Sequence, residues 1–194
     1  CTAIGFEALK VASNTGTSSA TYTYNSAVGY KAGLDISTGT ANTFVGSLAG
    51  SDFDTESGHT FIGYLAGSGA IAGANQCVAI GASAMIGALT QDGTVAIGTS
   101  ALTALTSGGN NVAIGFEAML EETTGGNNTV VGHQAMNDSL AGLENNNNTF
   151  IGYNSGGGTW LTAAMNGNTA VGSGTMIGAM NGAVNNTAIG YQAL

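Results

Sequence analysis

The sequence predicts an all-β fold, a β-solenoid of about eleven short coils, and three observations carry that prediction. One phrase returns eleven times at a near-constant period, from "CTAIGFEAL" at the start to "NNTAIGYQAL" at the end. Every copy places a β-branched residue directly before a glycine. Between copies lie clusters of Gly, Asn, Thr and Ser such as "TTGGNN" (123–128), which mark turns.

Taking that glycine as position zero aligns Gly5, Gly29, Gly46, Gly63, Gly81, Gly98, Gly115, Gly132, Gly152, Gly172 and Gly190, with spacings of 17 to 24 residues. Position −1 is Ile4, Val28, Val45, Ile62, Ile80, Ile97, Ile114, Val131, Ile151, Val171 and Ile189. Position −3 is Thr, Ser or Val. Side chains alternate along a strand, so −1 and −3 share one face. Each repeat reads as a short strand, a glycine turn, a second short strand-like segment and a polar turn. A helix fails on the frequency of Gly, Asn and Thr; only 101–106 and 134–140 could hold a short one, and neither is expected. Stacked at ~4.8 Å, eleven such two-strand coils make a rod of roughly 50 Å.

A correlation inside the repeat predicts which side chains meet. Position −2 is phenylalanine in three copies (Phe44, Phe61, Phe150), and in those copies +4 is Gly50, Gly67 and Gly156. Where −2 is Ala or Val, +4 is usually large, as in Leu9, Met85, Leu102, Met119, Met136 and Met176. A shared volume explains the pattern: −2 and +4 point into one core held at native density. Ala27 with Gly33 breaks the rule. The Ile/Val row then lies on the opposite face, where it calls for burial as a repeat core between chains, most simply against further copies of this chain.

Composition narrows the function classes. Only Lys10 and Lys31 are basic and the net charge is −9, which argues against nucleic acid, since phosphate binding needs a basic surface. Charged residues make up 7% of the chain and hydrophobic ones 43%, too apolar for a disordered tract. No stretch reaches the ~18–20 apolar residues of a membrane-spanning helix. The chain begins and ends within the repeat and has no initiator Met, so residues 1–194 read as a single solenoid array, a window from a longer fibre protein.

Seven copies carry asparagine at −4 (Asn25, Asn42, Asn111, Asn128, Asn148, Asn168, Asn186), which stacks into a ladder of amides. Cys1, His59, Cys77 and Thr94 take the same position elsewhere. The two cysteines are four copies apart, roughly 19 Å at ~4.8 Å per copy, too far for a disulfide. His59 reads as a hydrogen-bonded ladder residue, with an ion on a symmetry axis as the less favoured role. Position +1 holds Phe6, Tyr30, Tyr64, Phe116, His133, Tyr153 and Tyr191, an outward stripe suited either to packing between chains or to carbohydrate contact. Asp52, Asp54 and Glu56 alternate in "SDFDTES" but fit no calcium-loop pattern, and read as a solvated loop. Glu121 and Glu122 are adjacent and exposed-looking. No catalytic constellation, cofactor motif or metal-ligand set emerges, so an enzyme is not expected. The longer spacings enlarge loops near 10–24, 137–146 and 156–166; "GGGTWLTAAM" among them holds Trp160, the preferred contact-loop residue.

The phrases "NNVAIG" (110–115), "GTVAIG" (93–98), "QCVAIG" (76–81) and "NNTAIG" (185–190) resemble the head repeats of trimeric autotransporter adhesins of the YadA-like type. "NNTAIGYQAL" also looks like repeats in phage tail fibres. The resemblance implies a left-handed parallel β-roll assembled as a homotrimer. It implies a non-enzymatic structural or adhesive role in an extracellular fibre, on a bacterial surface or a virion, with a host-surface glycan or protein as a further partner. An ice- or surface-binding β-solenoid is the alternative, weakened because the strand reads Thr-x-Ile rather than Thr-x-Thr.

Overall fold

The computed structural model describes residues 1–10, 23–69, 73–87, 90–139, 142–158, 163–178 and 182–194. Eleven three-residue strands follow one another: β1 (Thr2–Ile4), β2 (Ser26–Val28), β3 (Thr43–Val45), β4 (Thr60–Ile62), β5 (Val78–Ile80), β6 (Val95–Ile97), β7 (Val112–Ile114), β8 (Thr129–Val131), β9 (Thr149–Ile151), β10 (Thr169–Val171) and β11 (Thr187–Ile189). They form a single parallel sheet in chain order, in strict register, so that Ala113 lies beside Val130 and Ile114 beside Val131. This is a β-solenoid, with one strand and one copy of the phrase per rung. Among the described residues there is no helix, including those at 101–106 and 134–139, and none long and apolar enough to cross a membrane.

The second segment of each coil differs from the expected second strand. At +2 and +4 the backbone turns left-handed in every rung, for example Glu117 (φ 53°) and Met119 (φ 53°), or Gln134 (φ 54°) and Met136 (φ 49°). The segment still carries a rung-to-rung ladder. Glu117 N donates to Thr99 O (3.0 Å) in the rung before, and Met119 N donates to Ala135 O (3.0 Å) in the rung after. A left-handed residue costs an L-amino acid about 1–2 kcal/mol. Here that cost is offset by the ladder and by a side chain delivered to the interior.

The glycine at zero answers to two constraints at once. Its φ lies between +125° and +149° throughout, a region in which a Cβ is strained. A Cβ on Gly115 would also stand 2.2 Å from the carbonyl oxygen of Gly132 in the next rung. The row therefore sets how closely rungs can stack.

The core is a column of four rows, two of which sequence alone did not show. Position −2 (Ala27, Phe44, Phe61, Ala79, Ala96, Ala113, Val130, Phe150, Ala170) and position +4 are buried as expected, and the small residues three positions after the glycine, from Ala32 to Thr175, are buried beside them. Position +7 adds Ile36, Phe53 and Leu105, all fully buried. The shared volume holds atom by atom: a Cβ on Gly50 would meet Phe44 Cε1 at 2.4 Å, and one on Gly67 would meet Phe61 Cδ2 at 2.5 Å. At Gly33 it would meet Phe44 Cδ2 at 2.7 Å and Leu9 Cδ2 at 2.9 Å. The exception thus has a cause: side chains from the two neighbouring rungs already fill that site.

The asparagine ladder runs mainly from side chain to backbone. Asn128 Oδ1 accepts from Asn148 N at 2.9 Å, while Asn128 Nδ2 donates to Asn145 O at 2.7 Å. In the C-terminal half a direct amide contact joins it, with Asn148 Nδ2 donating to Asn128 Oδ1 at 3.1 Å. Each buried amide so satisfies backbone groups that the narrow coil would leave unpaired.

Candidate functional site

Two outward rows are the surfaces on which a ligand or partner could act. The Ile/Val row at −1 does not enter the chain's own core. It lies on the outer face of the sheet, where Val45, Ile62 and Ile151 keep 37–38% of their surface exposed. The neighbours above and below cover the flanks of each side chain, and its tip faces outward. Beside it runs the −3 row, Val in β5 to β7 and Thr or Ser elsewhere, partly covered in most inner rungs and exposed at Thr129. The Ile/Val row is thus a continuous apolar stripe the full length of the sheet, flanked by a row that is mostly hydroxylic, and it is larger than a scatter of single exposed hydrophobics.

The second row is the +1 stripe. Phe6 and Tyr30 stack with ring centroids 5.8 Å apart and planes 8° apart. Phe116, His133 and Tyr153 form a three-ring stack, at 5.0 Å and 5.5 Å with tilts of 27° and 26°. Successive rungs displace these residues along the solenoid axis, so their faces meet one another and their edges point outward. Edge-out rings offer no flat platform along the stripe; their bare faces occur where a stack ends. The chain's two basic side chains cluster at the first stack, where Lys10 and Lys31 lie 2.5 Å and 3.7 Å from the Glu7 carboxylate. The Lys10 hydrogen bond holds the Glu7 carboxyl below the usual carboxylate range.

The acidic groups do not assemble into a site. Asp52 and Asp54 are exposed, while Glu56 turns inward and is 6% exposed, so "SDFDTES" is not simply a solvated loop. Burial alone would raise the Glu56 pKa, but backbone N–H groups, among them Gly73 N at 3.1 Å and Thr55 N at 2.9 Å, outweigh it and the pKa is lowered. Glu122, expected at the surface, is fully buried. Its Oε1 accepts from Gly125 N (2.8 Å) and Thr124 N (3.2 Å), and its Oε2 from Asn145 Nδ2 (2.8 Å). Both carboxylates act as turn caps inside the coil. Their sequence signal is only a glutamate within three residues of a Gly or Thr turn, which is too common to find them by. Among the described residues no group of three or more His, Cys, Asp and Glu could hold a metal ion.

His59 and the cysteines behave as ladder members. Both thiols are free, Cys1 exposed and Cys77 buried, and burial pushes the Cys77 thiol up. His59 N donates to Asn42 Oδ1 at 2.9 Å, and His59 Nδ1 in turn accepts from Cys77 N at 3.3 Å. That acceptor role assigns the ring proton to Nε2, which is buried without a hydrogen-bond partner. The ring packs within an aromatic group, 4.8 Å from Phe53 and 4.9 Å from Phe61 between centroids. Burial lowers its pKa from 6.5 to about 4. Between those values the unfolded chain binds a proton that the folded chain excludes. Stability is therefore complete above pH ~6.5 and falls as the pH drops through 4, by about 3 kcal/mol in all. His59→Asn, which restores the ladder residue, is expected to flatten this dependence; urea midpoints of both proteins between pH 4 and 8 measure it.

Trp160 lies outside the described residues. No family model, no curated protein and no solved structure matches the chain.

Proposed function

We propose that this chain is a non-enzymatic structural and adhesive segment of an extracellular homotrimeric fibre, wound left-handed, on a bacterial surface or a virion. The observation that carries the reading is the outward Ile/Val row, one partly exposed β-branched side chain on each of eleven rungs. A stripe of that length, Ile or Val along its whole run, gains stability on meeting a copy of itself. Burying each tip contributes at roughly 25 cal/mol per Å². Threefold closure protects three such faces at once without leaving an open-ended contact. The resemblance of "NNVAIG" and its sister phrases to trimeric adhesin heads supports the same assembly. A stiff rod of this kind holds an attachment surface away from its base, and the low charge and scarcity of lysine suit a shaft stabilised by stacked backbone.

A second reading, an ice- or surface-binding solenoid, draws on the same face, because Thr at −3 lies beside Ile or Val at −1 in seven of the eleven rungs, with Ser26, Val78, Val95 and Val112 in the others. Sedimentation equilibrium separates the two. The segment is produced with a neutral trimerisation tag, which is then cleaved off. A stable species at three times 19.0 kDa is expected. A well-folded monomer would exclude the trimeric fibre and favour the flat-surface reading.

A further inference from the structure

The +1 stripe is a stack of rings with gaps, and one gap has the shape of a binding slot. In rungs seven to nine, Phe116, His133 and Tyr153 stack on one another. One face of Tyr153 is covered by His133, so the opposite face points along the axis towards the tenth rung. There the +1 residue is Ser173, too small to cover it, and Tyr153 remains 57% exposed. The eleventh rung carries Tyr191. Two aromatic residues thus flank one missing ring. Two rungs at ~4.8 Å put them about 10 Å apart. A single guest ring midway would sit about 5 Å from each, the spacing the stack itself shows between Phe116 and His133 (5.0 Å) and between His133 and Tyr153 (5.5 Å).

We infer that the Tyr153–Ser173–Tyr191 gap binds one pyranose ring of a neutral glycan, sandwiched between the two tyrosines. This rests on the surface-fibre reading for its setting and names the ligand class that reading leaves open. The chemistry of the gap selects the guest. Its two walls are aromatic and match the C–H faces of a sugar ring. Its rim is polar and uncharged: the Ser173 hydroxyl at the floor, the two phenol hydroxyls, and the amide of Gln192 at +2 of the eleventh rung. Gln192 reaches back along the rim, since its Cγ lies 3.3 Å from where a Cβ on Gly174 would stand. No basic residue belongs to these three rungs, and the chain carries a net charge of −9, so an anionic sugar is disfavoured. The same Tyr-Ser-Tyr order recurs as Tyr30, Ser47 and Tyr64. There the Lys31 ammonium stands 5.2 Å from the Tyr30 ring centre, so the C-terminal gap is the neutral one.

The test uses the full chain with cellohexaose and maltohexaose as neutral probes and sialyllactose as the anionic control, followed by saturation-transfer NMR and by the ring-proton shifts of Tyr153 and Tyr191. Millimolar binding of a neutral hexaose is expected, with both tyrosines shifting. Ser173→Tyr fills the gap with the residue that other rungs carry, and is expected to weaken binding at least about tenfold. Thr99→Tyr extends the same stack at its far end and is expected to leave binding unchanged. Absence of binding to both hexaoses, or undiminished binding by Ser173→Tyr, would overturn the slot. So would shifts of the two tyrosines that follow protein concentration without sugar, because another copy would then fill the gap. Sedimentation of the same samples reads the fibre separately: a trimer that binds no sugar removes only the slot, and a sugar-binding monomer removes only the trimeric fibre.

Discussion

Replacing Gly115 by alanine is expected to cost about 3–5 kcal/mol and to lower the melting temperature by about 10 °C, while Gly190→Ala costs about 1–3 kcal/mol. Both glycines have φ in the range alanine resists, +140° at Gly115 and +125° at Gly190. They differ in what lies above them. A Cβ on Gly115 meets Gly132 O at 2.2 Å and Gly132 C at 2.5 Å, and these are backbone atoms of the next rung that cannot rotate aside. Gly190 lies in the last rung, and a Cβ there meets nothing within 4 Å. The difference between the two variants therefore reports the clash with a following rung together with the looser packing of an end rung. Thermal and urea unfolding followed by circular dichroism measure it. Equal losses at the two sites would show that strain alone governs the row.

The second large effect concerns the shared core volume. Phe61→Ala is expected to cost about 3–5 kcal/mol, because Phe61 is fully buried and packs against Phe44, Phe53 and His59. Gly67→Met alone is expected to be destabilising as well, since its Cβ would stand 2.5 Å from Phe61 Cδ2 and Cε2. Together they should recover much of the loss. The double variant reproduces the fifth rung, where Ala79 lies with Met85, and Gly67 (φ 61°) already has the backbone of Met85 (φ 55°). A double-mutant cycle is expected to give a coupling of at least about 2 kcal/mol. Recovery stays incomplete, because methionine from +4 cannot replace the ring contacts to His59. Additive losses would refute the shared volume.

These two predictions connect the core to the outward rows. The glycine row fixes the rung spacing, and the spacing sets where each +1 ring meets the next. A rung disturbed at Gly132 would therefore displace His133, the middle ring of the three-ring stack. The core and the outward rows are in this sense one object: the geometry of the surface is a consequence of how closely backbones stack.

Much of this was legible in the sequence because a solenoid repeats its own environment. Each −2 residue in the inner rungs meets the same kinds of neighbour as the −2 residue one repeat away, so the alternation of Phe with Gly and Ala with Met could be read as a volume rule. The glycine at zero, the buried −2 and +4 positions, the asparagine ladder and the separate cysteines all follow from that periodicity. What periodicity could not supply was direction. Left-handed φ at +2 and +4 made the second segment a ladder-bearing turn instead of a strand, and α-carbon handedness leaves no mark on residues as different as Glu117, Gln134 and Leu48. Nor could the repeat show contacts between unlike rungs. Gly33 is explained only by Leu9 and Phe44 on either side of it, and Glu122 is buried only because Asn145, in a later coil, supplies its last donor. The stripe at +1 shows both limits together. Its aromatic residues were plain in the sequence, but only their stacking in three dimensions turned faces into edges, and so moved the candidate contact from the stripe to the gap in it.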